Sequence, residues 1–273
     1  MIGVKLNGRL GNQLFQYALA ISVAKKFKSF FIIDHDGKPD FVKKYFKTNK
    51  FNNSRISRAV LKKLLLNKLP VIYQNNDEVT SEVLPLLRNN HFYYGFFQSE
   101  LYFKNISNSV SKRLELKKVY KNAFVKKYGH LFKGEKILVV HYRLGDYLTW
   151  GNEHTGGINM SLPESFYLNA LQEINKFEDY KVLLVTDDLK NATTKLPCIK
   201  NKLIISDNEI MDFQLLMHAD KLIISNSSFA WWGAYLNKKH AEVFAPKNWL
   251  GFKIDTEMPS NVIPERFKKV SVF

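Results

Sequence analysis

Four short apolar segments in the second half of the chain each run directly into polar residues. The segments are residues 137–140, 182–185, 203–205 and 222–224, and the letters that follow them are HYR, TDD, SD and SNSS. Continuous apolar runs of this length are typical of parallel strands buried on both faces. Because the carboxyl ends of parallel strands meet at one edge of a sheet, we expect these polar groups to lie side by side and to form a ligand site.

Helical patterns alternate with these strands. They are predicted over residues 163–171, 212–219 and 229–236, and a last short strand is predicted at 243–244. A strand-helix alternation of this kind indicates a doubly wound α/β unit. The loop over residues 148–161 contains three glycines, and its length predicts that it has a function beyond connecting two elements.

The N-terminal half also begins with a strand, a glycine loop and a helix. The strand is predicted at residues 2–6, the loop NGRLGN at 7–12 and the helix at 13–27. Such a loop directs backbone N–H groups and a helix N-terminus towards an anion, although glycine is equally common in ordinary tight turns. Further predictions are a strand at 30–34, basic helical segments over 41–68 and one helix over 109–127. They place a domain boundary near residue 130, giving domains 1–130 and 131–273.

Composition limits the partners of the chain. The formal net charge of +16 favours anionic partners such as nucleotides, nucleic acid, anionic lipid headgroups or acidic glycans. The recurring Lys-Lys pairs are more typical of solvated helix faces than of a binding patch.

The single cysteine, Cys198, excludes an intrachain disulfide and a thiolate zinc cluster, which favours a reducing compartment. With no secretory signal pattern and no apolar run near the length of a membrane span, we expect a cytoplasmic protein whose membrane contact is peripheral.

The polar strand ends suggest specific chemistry. Arg143 offers two parallel donors suited to a phosphate oxygen, while a structural ion pair with Asp146 is the alternative. Ser227 and Ser228 start a helix and either bind phosphate or cap that helix. Asp207 either accepts hydrogen bonds from a guanine or is an ordinary turn aspartate.

Other patterns are absent or weak. The sequence has no GxxxxGK[ST] loop, no GxGxxG after a strand and no HExxH, so P-loop phosphoryl transfer and a zincin site are disfavoured. The pair Asp187-Asp188 is weak support for a metal ion, and we predict no metal site. The aromatic segment 95–103 suits the core better than a cleft because aromatic side chains bury large areas.

Five segments in order resemble the motif set of the α-1,2-fucosyltransferases of glycosyltransferase family 11. They are GRLGNQLFQYA (8–18), FFQSELYF (96–103), HYRLGDY (141–147), TDD (186–188) and SNSSFAWWGAYL (225–236). The resemblance implies an α/β GT-B fold, with two Rossmann-like domains facing a central cleft and GDP-fucose held mainly by the C-terminal domain. It implies inverting transfer without a cofactor or an obligatory metal.

The resemblance also implies roles for individual residues. Arg143 would bind the diphosphate and stabilise the departing GDP. The remaining donor contacts would come from His141, Asp207, Ser227 and Ser228, and, from the opposite domain, Arg9 and Asn12. Trp231 and Trp232 would pack behind the phosphate site. The family usually has a second arginine where this chain has Leu144.

The acceptor side is less defined by sequence. Asp146, Glu153 and His154 are the candidates for deprotonating the acceptor hydroxyl, and a highly dissociative transfer would need no strong base. The predicted reaction is transfer of fucose from GDP-fucose to the 2-hydroxyl of a galactose-terminated or lipid-linked glycan. Alternatives are another nucleotide sugar or acceptor, a non-catalytic glycan-binding module, and a basic nucleic-acid-binding protein, for which no recognition motif is found.

Overall fold

The computed structural model describes residues 1–48, 66–75 and 79–273, and these form two compact units. The first unit comprises residues 1–117 with 259–262, and the second comprises 118–258 with 263–273. The predicted boundary near residue 130 falls after the helix Lys118–Tyr128, whereas the contacts group that helix with the second unit.

The first unit is built on a sheet of four parallel strands in the order β2-β1-β4-β3. The strands are β1 (Ile2–Lys5), β2 (Phe31–Asp34), β3 (Val71–Tyr73) and β4 (His91–Tyr94). Its α-helices are α1 (Leu10–Lys26), α2 (Phe41–Tyr45), α3 (Thr80–Val83) and α4 (Ser107–Arg113). The predicted strand-loop-helix start is confirmed, and α1 begins at Leu10, inside the predicted loop. Most of α1 is buried, so it forms the centre of this unit's core.

The single helix predicted over residues 109–127 is wrong, because the structure has two helices there. The first, α4, ends at Arg113, and the second, α5 (Lys118–Tyr128), begins after a break. Within the break Leu116 forms an antiparallel bridge with Phe46. The backbone N–H of Lys117 donates to the Tyr45 carbonyl at 2.9 Å. Backbone groups that pair with another segment cannot complete a helical turn, which interrupts the helix.

Two further predictions in this half have different outcomes. The aromatic segment lies in the core as predicted, since Phe97, Tyr102 and Phe103 are buried and the first two rings meet edge to face at 5.4 Å. Of the basic helical segments predicted over 41–68, α2 and a 3-10 turn at Leu66–Lys68 are present, and residues 49–65 lie outside the described residues.

The second unit contains a six-stranded parallel sheet in the order β12-β11-β10-β5-β8-β9. The strands are β5 (Ile137–Tyr142), β8 (Lys181–Thr186), β9 (Leu203–Ile205), β10 (Lys221–Ile223), β11 (Glu242–Pro246) and β12 (Lys268–Val270), and a small antiparallel hairpin joins β6 (Gly151–Asn152) to β7 (Gly157–Ile158). The other helices are α6 (Glu164–Gln172), α7 (Leu189–Ala192), α8 (Glu209–His218) and α9 (Ser228–Tyr235). The predicted parallel sheet is thus confirmed, with one strand, β12, that the sequence did not reveal.

The order of the strands fixes where a ligand can bind. From β5 the chain adds β8 and β9 on one side, then returns to β10 on the other side and continues to β11 and β12. The direction therefore reverses between β5 and β10, and in open α/β sheets ligands bind at such a reversal, outside the carboxyl ends of the strands. The four polar strand ends found in the sequence follow the neighbouring strands β10, β5, β8 and β9, as predicted.

Candidate functional site

The carboxyl ends of β5 and β10 are joined by side-chain hydrogen bonds across the reversal point. His141 Nδ1 lies 2.8 Å from Ser225 Oγ. The Tyr147 hydroxyl donates to the Asn226 carbonyl at 3.1 Å. The Asn226 side-chain amide donates to the Met160 carbonyl at 3.0 Å, while its Oδ1 is buried and has no hydrogen-bond partner in the part of the chain described. A buried acceptor without a donor is a group that a ligand can satisfy.

His141 is a neutral member of this site. It is buried, and desolvation followed by the nearby positive charge of Arg143 lowers its pKa to about 3. Its ring lies 5.9 Å from that of Phe229. At neutral pH this imidazole therefore serves as an uncharged hydrogen-bonding group and not as a cation for phosphate.

Arg143 lies just beyond the end of β5 and contacts three side chains. Nη1 lies 3.1 Å from Asp187 Oδ2, and Nη2 lies 2.6 Å from Asp146 Oδ1. The guanidinium lies over the Tyr147 ring at 5.2 Å, and the Nε atom is buried without a hydrogen-bond partner among the described residues. The Arg143–Asp146 ion pair that the sequence left open is present. Asp146 is 63% exposed, so an anion from solvent can replace its carboxylate on Arg143 at a small cost in free energy.

Asp187 holds the turn after β5 as well as the arginine. Its Oδ1 accepts the backbone N–H of Leu144 at 2.9 Å. A Cβ atom on Gly145 would lie 2.3 Å from Asp187 Oδ2, so any larger residue at this position would displace the carboxylate. Asp188 acts elsewhere, since it accepts the backbone N–H of Asn191 at 3.1 Å and caps α7. Within the described ranges, no group of three or more His, Cys, Asp or Glu side chains could hold a metal ion.

Leu144 faces the core and not the arginine. It is buried in an apolar cluster that includes Met160, Leu162 and Phe252. The position that usually carries a second arginine in the family is thus a packing position in this chain.

The start of α9 lies directly after the β10 end. Ser227 is the N-cap residue, but its side chain makes no capping hydrogen bond, so the capping alternative does not explain it. Ser228 is the first residue of the helix. Trp231 and Trp232 are fully buried, with ring centroids 5.0 Å apart, which confirms their predicted role in packing.

Asp207 is held by side chains from α5. Its Oδ2 accepts hydrogen bonds from Lys127 Nζ at 2.7 Å and from the Tyr128 hydroxyl at 2.8 Å. Its backbone N–H donates to the buried carboxyl of Asp212 at 3.1 Å. Contact with a guanine stays a prediction, and it requires these partners to open.

Glu153 and His154 are exposed on the 3-10 turn of the β6–β7 hairpin. The turn is fixed by reciprocal hydrogen bonds between Asn152 and Thr155. The structure shows no hydrogen bond or ion pair between either candidate base and Arg143, in contrast to Asp146, which contacts the arginine directly.

Arg9 and Asn12 lie in the first unit, at the start of α1. Arg9 is the exposed N-cap residue. Asn12 Oδ1 accepts a hydrogen bond from Gln98 Nε2 at 2.7 Å. Gly8 has a φ of +72°, and a Cβ there would meet Asn12 at 2.3 Å, so the loop requires glycine at this point.

Two buried glutamines whose role the sequence did not indicate fix this glycine loop. Gln13 Nε2 donates to the Gly8 carbonyl at 3.2 Å. Gln16 accepts the Asn7 N–H at 3.0 Å and donates to the Gly95 carbonyl at 2.9 Å, which ties the ends of β1 and β4 together. Both belong to the GRLGNQLFQYA segment, and a polar residue on an otherwise apolar helix face was the available signal.

Comparison with known proteins assigns this arrangement to a family. The profile of Glycosyl transferase family 11 matches residues 1–265. The chain belongs to glycosyl transferase family 11. The family resemblance predicted from the five sequence segments is therefore confirmed.

Two curated family 11 relatives from Escherichia coli are similar along almost their whole length. One is the O-antigen biosynthesis glycosyltransferase WbnK, 22% identical, with 89% of this chain and 93% of the relative covered. The other is an alpha-1,2-colitosyltransferase, 23% identical, with 91% of this chain and 92% of the relative covered.

Solved structures of the fucosyltransferase NodZ share the fold of this family 11 chain. The crystal structure of NodZ alpha-1,6-fucosyltransferase soaked with GDP-fucose has a TM-score of 0.54 and 14% identity, and covers 86% of this chain and 92% of NodZ. That of selenomethionine NodZ from Bradyrhizobium has a TM-score of 0.55 and 15% identity, with 85% and 91% covered. At this identity the likeness shows an α/β fold with parallel sheets and no more.

Proposed function

We propose that this glycosyltransferase is an inverting α-1,2-fucosyltransferase that transfers L-fucose from GDP-β-L-fucose to the 2-hydroxyl of a galactose-terminated glycan. The acceptor oxygen attacks the anomeric carbon, the bond from that carbon to the diphosphate oxygen breaks, and GDP leaves. The proton of the acceptor hydroxyl passes to a side-chain base or, in a highly dissociative transfer, to the departing diphosphate. Synthesis of a surface polysaccharide or oligosaccharide is the proposed context. The name of the relative WbnK, which refers to O-antigen biosynthesis, supports that context.

The observation that carries the proposal is the position of Arg143. It lies at the carboxyl edge of the sheet, beside the point where the strand order reverses, and its guanidinium is oriented by Asp187 at 3.1 Å. A fixed guanidinium at this edge can neutralise negative charge as it develops on a departing diphosphate. The helix start at Ser227 and Ser228 supplies further donors at the same edge.

The other site assignments follow as parts of the proposal. We further propose the GT-B arrangement that the family resemblance implies, in which Arg9 and Asn12 contact the donor. Asp146 is the favoured candidate for deprotonating the acceptor hydroxyl, because it is exposed and contacts Arg143. Glu153 and His154 on the hairpin are alternatives for the same role. No obligatory metal is proposed, since two positive groups, a guanidinium and a helix N-terminus, are available for the diphosphate.

The test is a GDP-release assay with GDP-fucose and a panel of β-galactosides. We expect turnover that continues in EDTA and that falls on the order of a hundred- to a thousandfold in Arg143→Ala. The matched control is Arg266→Ala, because Arg266 donates to the Tyr235 carbonyl at the other end of α9 and does not contact the strand ends that form the site. Near-normal turnover in Arg143→Ala would remove the assignment of the diphosphate to this residue.

A second candidate donor carries colitose. The similarity to an alpha-1,2-colitosyltransferase favours it as the alternative. Colitose is fucose without its 3-hydroxyl, so the two donors can be compared directly in the same assay. A higher kcat/KM for the colitose donor would replace fucose in the proposal, while turnover of neither donor would contradict both.

A further inference from the structure

The helix α5 exposes two valines on a lysine-bearing face. Val119 and Val125 are each 65% exposed. At 100° per residue they lie on the same side of the helix as Lys118, Asn122 and Lys126, which are also exposed. Valine has a modest helix propensity and gains nothing from water on this face. Neither helix formation nor packing against the described residues therefore explains the pair.

The opposite side of α5 is firmly attached to the second unit. Phe124 is buried and stacks on the His218 ring at 4.8 Å. The Tyr120 carbonyl accepts a hydrogen bond from Gln214 at 3.2 Å. The helix is therefore a fixed element of this unit, and its outward face is presented in a defined orientation.

The charge of this segment has one sign. No acidic residue occurs between Glu115 and Glu135, and the lysines in that interval are Lys117, Lys118, Lys121, Lys126, Lys127 and Lys133. Lys127 is paired with Asp207, whereas no ion pair of the described residues involves Lys118 or Lys126. An uninterrupted set of lysines produces a positive local potential that attracts an anionic surface.

We propose that the outward face of α5, formed by Lys118, Val119, Asn122, Val125 and Lys126, binds the surface of an anionic lipid bilayer. Lysines interact with the headgroup charge, and the valines enter the boundary between headgroups and acyl chains. Nucleic acid also attracts lysines, but it offers no apolar layer for two aliphatic side chains. The valines therefore favour lipid. This membrane contact is separate from the transfer reaction, because transfer to a soluble acceptor can be measured in the absence of vesicles.

The experiment measures flotation of the full chain with vesicles of phosphatidylcholine and with vesicles that also contain phosphatidylglycerol. We expect binding only to the anionic vesicles. The variant Lys118→Glu/Lys126→Glu should bind them about tenfold or more weakly. The matched control is Lys190→Glu/Lys200→Glu, which makes the same charge change at exposed lysines outside α5 and should leave at least most of the binding.

The valines are tested with Val119→Ser/Val125→Ser, which keeps every charge. We expect this variant to bind at low salt and to lose binding at a salt concentration where the wild type still floats, because its remaining attraction is purely electrostatic. Thermal melting verifies that both α5 variants stay folded. Absence of wild-type binding, equal loss in the Lys190/Lys200 control, or an unchanged valine variant would each overturn the proposal. Tighter, lysine-dependent retention of duplex DNA would also overturn it in favour of nucleic acid.

Discussion

Arg143 and Asp187 join the ends of two adjacent strands, with Nη1 of the arginine 3.1 Å from Oδ2 of the aspartate. The same carboxylate accepts the Leu144 N–H through its other oxygen. The turn after β5 and the guanidinium are therefore positioned by one side chain from the end of β8. Asp187 is only 28% exposed, whereas Asp146, the second carboxylate on the arginine, is 63% exposed. The first is a permanent support, and the second is a partner that an anion can displace.

Asp187→Asn should weaken the proposed site. Asparagine keeps the shape but loses the charge that orients Arg143, so we expect kcat/KM to fall on the order of tenfold to a hundredfold. Steady-state GDP release and calorimetric titration with GDP measure the loss. Asp188→Asn is the matched control, because asparagine caps a helix about as well as aspartate and should leave both values unchanged. Equal effects in the two variants would contradict a positioning role for Asp187.

Gly145→Ala should also lower kcat/KM, because the added methyl group clashes with the Asp187 carboxylate. The φ of Gly145 lies outside the left-handed region, so alanine is allowed by the backbone, but its Cβ would lie 2.3 Å from Asp187 Oδ2. Displacing this carboxylate also releases Arg143. In an Asp187→Ala background the clash is absent, and Gly145→Ala should then add little. A double-mutant cycle on kcat/KM tests this, and strictly additive losses would show that the two residues act separately.

Asp146→Asn should strengthen the binding of GDP. The exposed Asp146 carboxylate occupies Arg143 Nη2 at 2.6 Å and competes with a diphosphate for it. Since an exposed ion pair is worth little, we expect an improvement of roughly two- to fivefold in Kd. Calorimetry with GDP alone measures it without an acceptor. Weaker binding would mean that Asp146 supports the arginine, and a fall in kcat with tighter GDP binding would assign Asp146 to the acceptor.

The parallel sheet and its polar edge were predictable because they depend on local patterns. Buried runs such as Ile137–Tyr142 have no alternation, and each is followed at once by polar residues. The strand Lys268–Val270 was not predictable, since two of its three residues are exposed lysines at the edge of the sheet. The break before α5 was also hidden, because it depends on pairing with Phe46, which is distant in sequence.

The site was predictable only in part, for a similar reason. Arg143 could be found because it follows an apolar run, and Asp146 because it lies close to it in sequence. The contact with Asp187 depends on the pairing of β5 with β8, which brings together residues more than 40 positions apart. Local sequence patterns do not specify that register, so from sequence alone Asp187 is only a weak candidate metal ligand.

Leu144→Arg should not create a second phosphate-binding group. The side chain of Leu144 is buried in the apolar cluster that includes Met160, Leu162 and Phe252, so an arginine would bring a charge into that cluster. We expect the free energy of unfolding to fall by about 3 kcal/mol and the KM for the donor not to improve. Leu144→Met, which preserves the volume, should cost less than about 1.5 kcal/mol. Denaturant unfolding and donor titration measure both quantities, and a lower donor KM in Leu144→Arg would show that this position faces the site.

The buried carboxyl of Asp212 makes the free energy of unfolding depend on pH. Burial, as the largest cause, raises the pKa of its carboxyl from 3.8 to about 7, with a smaller opposing contribution from the Asp207 N–H that it accepts. Between pH 4 and 7 the folded chain therefore binds a proton that the unfolded chain has lost. Binding of this proton stabilises the folded chain. The stabilisation is complete below the pKa of the unfolded chain, and it disappears as the pH rises through about 7.

Asp212→Asn removes this proton while it keeps an acceptor for the Asp207 N–H. We expect the difference in unfolding free energy between the variant and the wild type to grow in favour of the variant as the pH rises from 4 to 7. Its size should be on the order of a few kcal/mol, after which it becomes constant. Urea unfolding of both proteins across this range provides the measurement. The difference between the proteins is the relevant quantity, because the other carboxyl groups titrate alike in both. A difference independent of pH would show that Asp212 is ionised throughout, with its charge compensated by the surrounding donors.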